Sequence, residues 1–263
     1  MTTWFVSSDI HSFFTEWMDA LKLKGFDEND PTHKIIVCGD LFDRGDETIA
    51  CYDFALKMLK NNRMVYVKGN HEYLLQELMT EVKRGFGIGT HHILNRTINT
   101  LESLTGVNQY DILCGVYNKP MMDKEMSVVD EFINTYCVNY FELDDFIFVH
   151  SWLPLNRLHT KVAKDWESAA ADWYGAGWGN PFEQWERGIT ISGKTVVCGH
   201  WHTSFAHSKY HNNGDENGDS ACYDIFVDDG IIGLDGCVAR TRNVNVLKLK
   251  ELDDNTILID GGN

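Results

Sequence analysis

The sequence predicts an α/β fold built on a parallel sheet, and three observations carry that prediction. Short apolar runs alternate with helical patterns in the order β-α-β-α-β-α through the first third of the chain. The helical stretches place apolar residues about every three to four positions, as crossover helices packed on a sheet require. Each apolar run passes straight into a turn carrying Asp, Asn or His, at the carboxyl end of the strand, where open α/β sheets bind ligands.

Trp4-Phe5-Val6-Ser7-Ser8 predicts the first strand, ending at Asp9-Ile10-His11. Phe13, Trp17 and Leu21 are spaced by four and predict a helix, and residues 25–32 read as a loop. Ile35-Ile36-Val37-Cys38 predicts a buried strand feeding Gly39-Asp40-Leu41-Phe42-Asp43-Arg44-Gly45. Residues 49–59 predict a helix with Phe54 and Met58 on one face, ended by Asn61-Asn62. Met64-Val65-Tyr66-Val67 predicts a third strand, ending at Gly69-Asn70-His71-Glu72 ahead of a helix that carries Leu74, Leu75, Leu78, Met79 and Val82.

Residues 85–140 read as mostly helical. Gly85-Phe86-Gly87-Ile88-Gly89 looks like a phosphate loop, but no strand precedes it, and a helix-to-helix connection fits better. His91 and His92 fall on the next helix, where they read as surface or packing residues rather than ligands. Phe146-Ile147-Phe148-Val149 predicts a fourth strand, ending at His150-Ser151-Trp152. The stretch from Trp166 to Trp185, with Trp173 and Trp178 inside it, fits either a cap core or the lining of a cleft, with the core reading favoured. Thr195-Val196-Val197-Cys198 predicts a fifth strand, ending at Gly199-His200-Trp201-His202. Residues 211–220 read as a solvated loop, and residues 231–234 and 244–249 as strands closing a second sheet. The expected organisation is a single domain over 1–263, with a helical insertion near 85–140 and a Trp-rich insertion near 160–190.

Composition excludes several classes of function. A net charge of -16 opposes nucleic acid as the main partner and opposes an anionic membrane surface. No apolar run approaches the ~20 residues of a membrane helix. Seven cysteines without a Cys-x-x-Cys pair, and a start lacking a basic segment followed by an apolar one, predict a reduced, cytoplasmic protein.

The five strand ends bring together three aspartates, an asparagine and five histidines: Asp9, His11, Asp40, Asp43, Asn70, His71, His150, His200 and His202, with Arg44 beside them. Such carboxylates repel one another unless cations compensate them. Mixed imidazole and carboxylate donors suit two divalent transition-metal ions, with manganese favoured and iron or zinc as alternatives. The ligand count exceeds one open site, and Asp40 is placed to be the shared ligand.

Asp9-Ile10-His11, the Gly39–Gly45 turn, Gly69-Asn70-His71-Glu72, Val149-His150 and Gly199-His200 resemble the ordered motifs of the calcineurin-like metallophosphoesterases, and within them the phosphoprotein phosphatase branch. The resemblance spans residues 9 to about 202, with residues 231–249 similar to the closing strands of bacterial members. It implies two facing mixed β-sheets flanked by helices. It also implies that Asp9, His11 and Asp40 hold the first metal, and that Asp40, Asn70, His150 and His200 hold the second. Arg44 and Asn70 would bind phosphate, and His71, oriented by Asp43, would protonate the leaving group. Ser8 and Ser12 stand where the family usually has glycine, and His202 matches a second histidine common in the wider superfamily near the first metal. The implied activity is hydrolysis of phosphoric monoesters of the serine/threonine protein phosphatase type, by direct attack of metal-bound hydroxide on phosphorus. The alternative is a diadenosine tetraphosphate or other nucleotide phosphohydrolase or phosphodiesterase. The implied partner is a phosphorylated substrate, a phosphoprotein or a small phosphoester.

Overall fold

A computed structural model describes residues 1–85, 87–168, 170–254 and 256–260. Strands β1 (Thr2–Ser7), β2 (His33–Cys38) and β3 (Met64–Val67) alternate with helices α1 (Phe14–Leu23), α2 (Thr48–Lys60) and α3 (Asn70–Arg84). Helices α4 (Thr90–Leu94), α5 (Thr97–Thr105), α6 (Gln109–Cys114) and α7 (Lys119–Tyr136) follow. Next come β4 (Cys137–Val138), β5 (Phe141–Leu143), β6 (Phe146–Phe148), α8 (Trp173–Ala176), α9 (Pro181–Glu186), β7 (Thr195–Cys198) and α10 (Thr203–His211). The chain closes with β8 (Phe226–Asp228), β9 (Ile231–Gly233), α11 (Val238–Thr241), β10 (Leu247–Glu251) and β11 (Ile257–Ile259).

Two mixed sheets result among the described residues: six strands ordered β11-β10-β1-β2-β3-β4 and five ordered β5-β6-β7-β9-β8. As the crossover pattern requires, β1, β2 and β3 are parallel neighbours, and so are β6, β7 and β9 in the other sheet. Side chains alternate with the strand period of two. Val6, Ile36, Cys38 and Val67 meet Phe148, Val197 and Ile232 between the sheets. Phe5, Ile35, Val37 and Tyr66 point the other way, into α1, α2, α3, α5 and α7. Ile147, Val196, Cys198 and Ile231 pack outward under Trp152, Trp173 and Phe182. Strands buried on both faces explain why the sequence shows continuous apolar runs rather than alternation.

One sequence expectation needs correction. Residues 244–249 do not join the second sheet. The strand begins at Leu247 and pairs antiparallel with β1, placing Leu249 opposite Trp4. Leu247 and Leu249 face the space between the sheets, whereas Val244 and Val246 precede the strand and pack among the helices. Alternation identifies a strand but not its partner. Strands β4, β5, β8 and β11, two or three residues each, are too short to leave a period in the sequence.

Residues 85–89 connect two helices. Gly85 ends α3 in the left-handed conformation (φ 69°), and Gly89 precedes α4. Phe86 of that motif lies outside the described residues. The tryptophan-rich stretch divides. Trp173 is buried and stacks on Tyr140 with ring centroids 5.4 Å apart, and Trp166 and Trp185 pack on the same core. Trp178 is 40% exposed. The loop at 212–220 is exposed, all seven cysteines are free, and no described helix is long and apolar enough to cross a membrane.

Candidate metal centre

The site forms where β1, β2, β3, β6 and β7 end. Each strand is buried, so its register is fixed, and the first polar residues after it emerge at one edge. The backbone turns sharply there. Asp9, His11, Ser12, Asp40, Asp43, Arg44 and His200 all have positive φ, between 50° and 75°. These are half of the 14 such non-glycine residues among those described. Left-handed backbone is costly for L-residues with a Cβ, and it concentrates where packing over-determines a functional loop. Gly199 is required by close approach: a Cβ there would overlap the Asp9 carboxylate and the Ser8 hydroxyl.

Asp40 lies at the centre. Its Oδ1 accepts the His71 backbone N–H at 3.0 Å and lies 3.4 Å from His150 Nε2. Its Oδ2 is 3.8 Å from both His11 Nε2 and His71 Nε2. Asp9 Oδ1 is 3.9 Å from His11 Nε2, while Asp9 Oδ2 accepts the His200 backbone N–H at 2.9 Å. On the other side of Asp40, His150 Nε2 lies 2.7 Å from Asn70 Oδ1 and 3.2 Å from His200 Nδ1, and His200 Nδ1 lies 2.9 Å from the same Asn70 oxygen. Two donor groups therefore share one carboxylate: His11, Asp40 and His71, and Asp40, His150 and His200.

The histidines are held as ligands need to be. His11 Nδ1 lies 3.0 Å from the Phe42 carbonyl, and His150 Nδ1 lies 2.9 Å from the Cys38 carbonyl. Donating Nδ1–H to a backbone oxygen fixes the tautomer and leaves the Nε2 lone pair facing the site. A cation beside His150 Nε2 and Asn70 Oδ1, which lie 2.7 Å apart, would take a lone pair from each. The carboxylates point the same way. Burial, with Asp235 and Asp40 nearby, pushes Asp9 well above the usual carboxylate range. Burial opposes ionisation of Asp40 too, but His150, His71 and His11 around it hold its carboxyl below the ordinary value. Burial, with His150 beside it, pushes His200 down to about 3, so its ring is neutral and its lone pair available. The donor set fits two divalent cations.

His71 faces both parts of the site. Its Nδ1 is 2.6 Å from Asp43 Oδ2. Its Nε2 is 3.3 Å from Arg44 Nη2, so the guanidinium and the imidazole edge converge on one point. Burial opposes charge on this ring, yet Asp40 and Asp43 outweigh burial and raise its pKa above the ordinary histidine value.

His202, like Asp9, belongs to neither donor group. Its Nδ1 is 2.8 Å from Ser204 Oγ, and its Nε2 is 3.7 Å from Glu216 Oε1.

A family model for calcineurin-like phosphoesterases matches residues 3–204, from the first strand through the His200 turn. The chain belongs to the calcineurin-like phosphoesterase family. A curated relative, an asymmetrical bis(5'-nucleosyl)-tetraphosphatase from Anoxybacillus flavithermus, is 39% identical over 72 residues, covering 25% of this chain and 29% of that protein. The match thus spans less than a third of the relative's length. A point mutant of a cold-active protein tyrosine phosphatase has a similar fold, with a TM-score of 0.51 at 12% identity, over 98% of this chain and 80% of that one. A candidate diadenosine tetraphosphatase gives a TM-score of 0.48 at 14% identity, over 98% and 92%.

The phosphoesterase site includes residues that strand-end reasoning missed. Glu72 is fully buried, and its carboxylate accepts the backbone N–H groups of Asp40, Leu41 and Gly69, tying the β2 and β3 turns together. Thr97 and Thr100 on α5 donate to Asp43 at 2.7 and 2.6 Å. Asp235 follows β9 and faces Asp9, and the Trp178 ring lies 6.5 Å from the His200 ring. Glu72 sits inside the Gly-Asn-His-Glu motif, and Asp235 ends an apolar run as the other site aspartates do. Nothing in the sequence marks the two threonines, whereas Trp178 belongs to the tryptophan-rich stretch for which cleft lining is the less favoured reading.

Proposed function

We propose that this phosphoesterase hydrolyses phosphoric monoesters with alcohol leaving groups, as serine/threonine protein phosphatases do. The single observation that carries the reading is the His71–Asp43 pair, 2.6 Å apart, with His71 Nε2 aimed at the point Arg44 also faces. Cleaving a serine ester expels a strongly basic alkoxide, which needs a proton in the transition state. A nucleotide anhydride expels a weakly basic phosphate and needs none.

In this reading Asp9, His11 and Asp40 hold one ion, and Asp40, Asn70, His150 and His200 hold the other. Manganese is the preferred ion for this mixture of oxygen and imidazole donors. When bound, the two ions supply Lewis acidity toward phosphoryl oxygens and lower the pKa of coordinated water. Arg44 pairs with a non-bridging phosphate oxygen, and Asn70 orients the group. Asp43, fixed by Thr97 and Thr100, holds the His71 ring through Nδ1 and favours its charged form. His71 then donates the Nε2 proton to the departing oxygen and is reprotonated from solvent.

A second reading has its own observation. The 72-residue match to an asymmetrical bis(5'-nucleosyl)-tetraphosphatase favours a dinucleoside polyphosphate substrate. Assaying the manganese-loaded protein against a serine phosphopeptide, diadenosine tetraphosphate, a 2′,3′-cyclic nucleotide and bis-nitrophenyl phosphate separates the two. The proposal requires the phosphopeptide to give the highest kcat/KM; diadenosine tetraphosphate ranking first overturns it.

A further inference from the structure

Away from the Asp40 centre, α3 and α4 bring together a second set of ligating side chains. Glu77 and Glu81 lie one turn apart on α3, and His91 and His92 are consecutive on α4. One ligand atom from each of Glu77, His91 and His92 lies within 4.8 Å of the others. His91 Nε2 is 3.7 Å from Glu77 Oε2, and His92 Nε2 is 3.5 Å from Glu81 Oε2. Adjacent helix residues normally point apart, yet these two rings have centroids 4.0 Å apart.

His92 is the informative residue. It is fully buried, and among the described residues neither of its ring nitrogens has a hydrogen-bond partner. A histidine buried only for packing normally satisfies at least one nitrogen, because an unpaired buried polar atom is costly. A ligand histidine stays unsatisfied until its ion binds. Two separate ion pairs across the helices would account for the glutamates, but they would leave His92 Nδ1 alone and would not draw Glu77, His91 and His92 to one point. Glu77 and His91 are nearly half exposed, so an ion reaches the cluster from solvent.

We propose that Glu77, His91 and His92 form a zinc site, distinct from the Asp40 centre, that fastens α4 to α3. Two imidazoles and one carboxylate, with a fourth position open to water, are a zinc donor set. Tetrahedral ligands about 2.0–2.1 Å from zinc are roughly 3.3 Å apart, so side-chain tips need move only about an ångström. Glu81, which also accepts the Gly89 backbone N–H at 3.0 Å, is the carboxylate beside His92. The segment leaving α4 touches the phosphate-binding turn. The Asn95 carbonyl accepts the Arg44 N–H at 3.3 Å, and Arg96 Nη1 donates to the Arg44 carbonyl at 2.7 Å. Zinc here holds the element that braces Arg44.

The test is zinc content after chelator treatment and dialysis against micromolar zinc. Wild type is compared with His91→Ala and Glu77→Gln, two partly exposed positions whose substitution leaves the core intact. Each variant is expected to bind one equivalent fewer than wild type. An Asp40→Asn chain is expected to keep one zinc that the Asp40→Asn/His91→Ala chain lacks. This second comparison holds even if the reading of the Asp40 centre fails. Equal zinc content in wild type and both single variants overturns the site.

Discussion

His71 Nδ1 lies 2.6 Å from Asp43 Oδ2, and the same carboxylate takes hydrogen bonds from Thr97 and Thr100. A buried aspartate with three partners is a fixed negative wall behind the imidazole. It holds the ring's orientation and favours its protonated form, the two properties a general acid needs.

His71→Asn should therefore lower kcat on alkyl phosphates about a hundred- to ten-thousand-fold, the usual contribution of a general acid. Nitrophenyl phosphate, whose leaving group is already stable as an anion, should lose much less. Rates for both substrates at equal metal occupancy are the measurement. The same factor on both would remove His71 from the acid role and leave it shaping the metal site.

Asp43→Asn should repeat this leaving-group pattern more weakly, because the ring keeps a hydrogen-bond partner but loses the charge. Thr100→Val, which removes one of the two hydroxyls on Asp43, should be weaker again in the same direction. A flat response of the alkyl-to-aryl rate ratio across both variants would contradict the positioning role.

Asp40→Asn should be the most damaging single change at the centre. Asp40 faces both donor groups, so losing its charge weakens both ions. Metal analysis in a His91→Ala background, where only the Asp40 centre is counted, should give two equivalents of manganese with Asp40 intact and fewer than one after Asp40→Asn. His202→Ala should retain most metal and activity, because the two ring nitrogens face Ser204 and Glu216. A plateau at one equivalent with full activity would sink the two-ion reading.

Glu72→Gln should destabilise the fold by about 1–3 kcal/mol, the cost of leaving a buried backbone donor unpaired. The carboxylate serves three N–H groups through two oxygens, and an amide offers only one. Urea unfolding of the metal-free proteins, where ion binding makes no contribution, reads the difference. An unchanged midpoint would mean the turns do not depend on this carboxylate.

The sequence by itself determined the parallel strands, the helices between them and the chemistry of the strand ends. Burial on both faces writes a strand such as Ile35-Ile36-Val37-Cys38 as an unbroken apolar run, and a turn that must present Asp40 shows its polar residues immediately afterwards. These are local signals, carried by neighbouring residues. Only tertiary structure decided the rest. The pairing of β10 with β1 depends on which exposed edge its apolar face can cover, and the run Val244–Leu249 contains no record of that edge. The hold of Thr97 and Thr100 on Asp43 depends on α5 packing against α2 and α3, across more than fifty residues. The meeting of Glu77 with His91 and His92 likewise depends on how α4 folds back along α3. Side chains brought together by packing interact through space, and a sequence orders residues only along the chain.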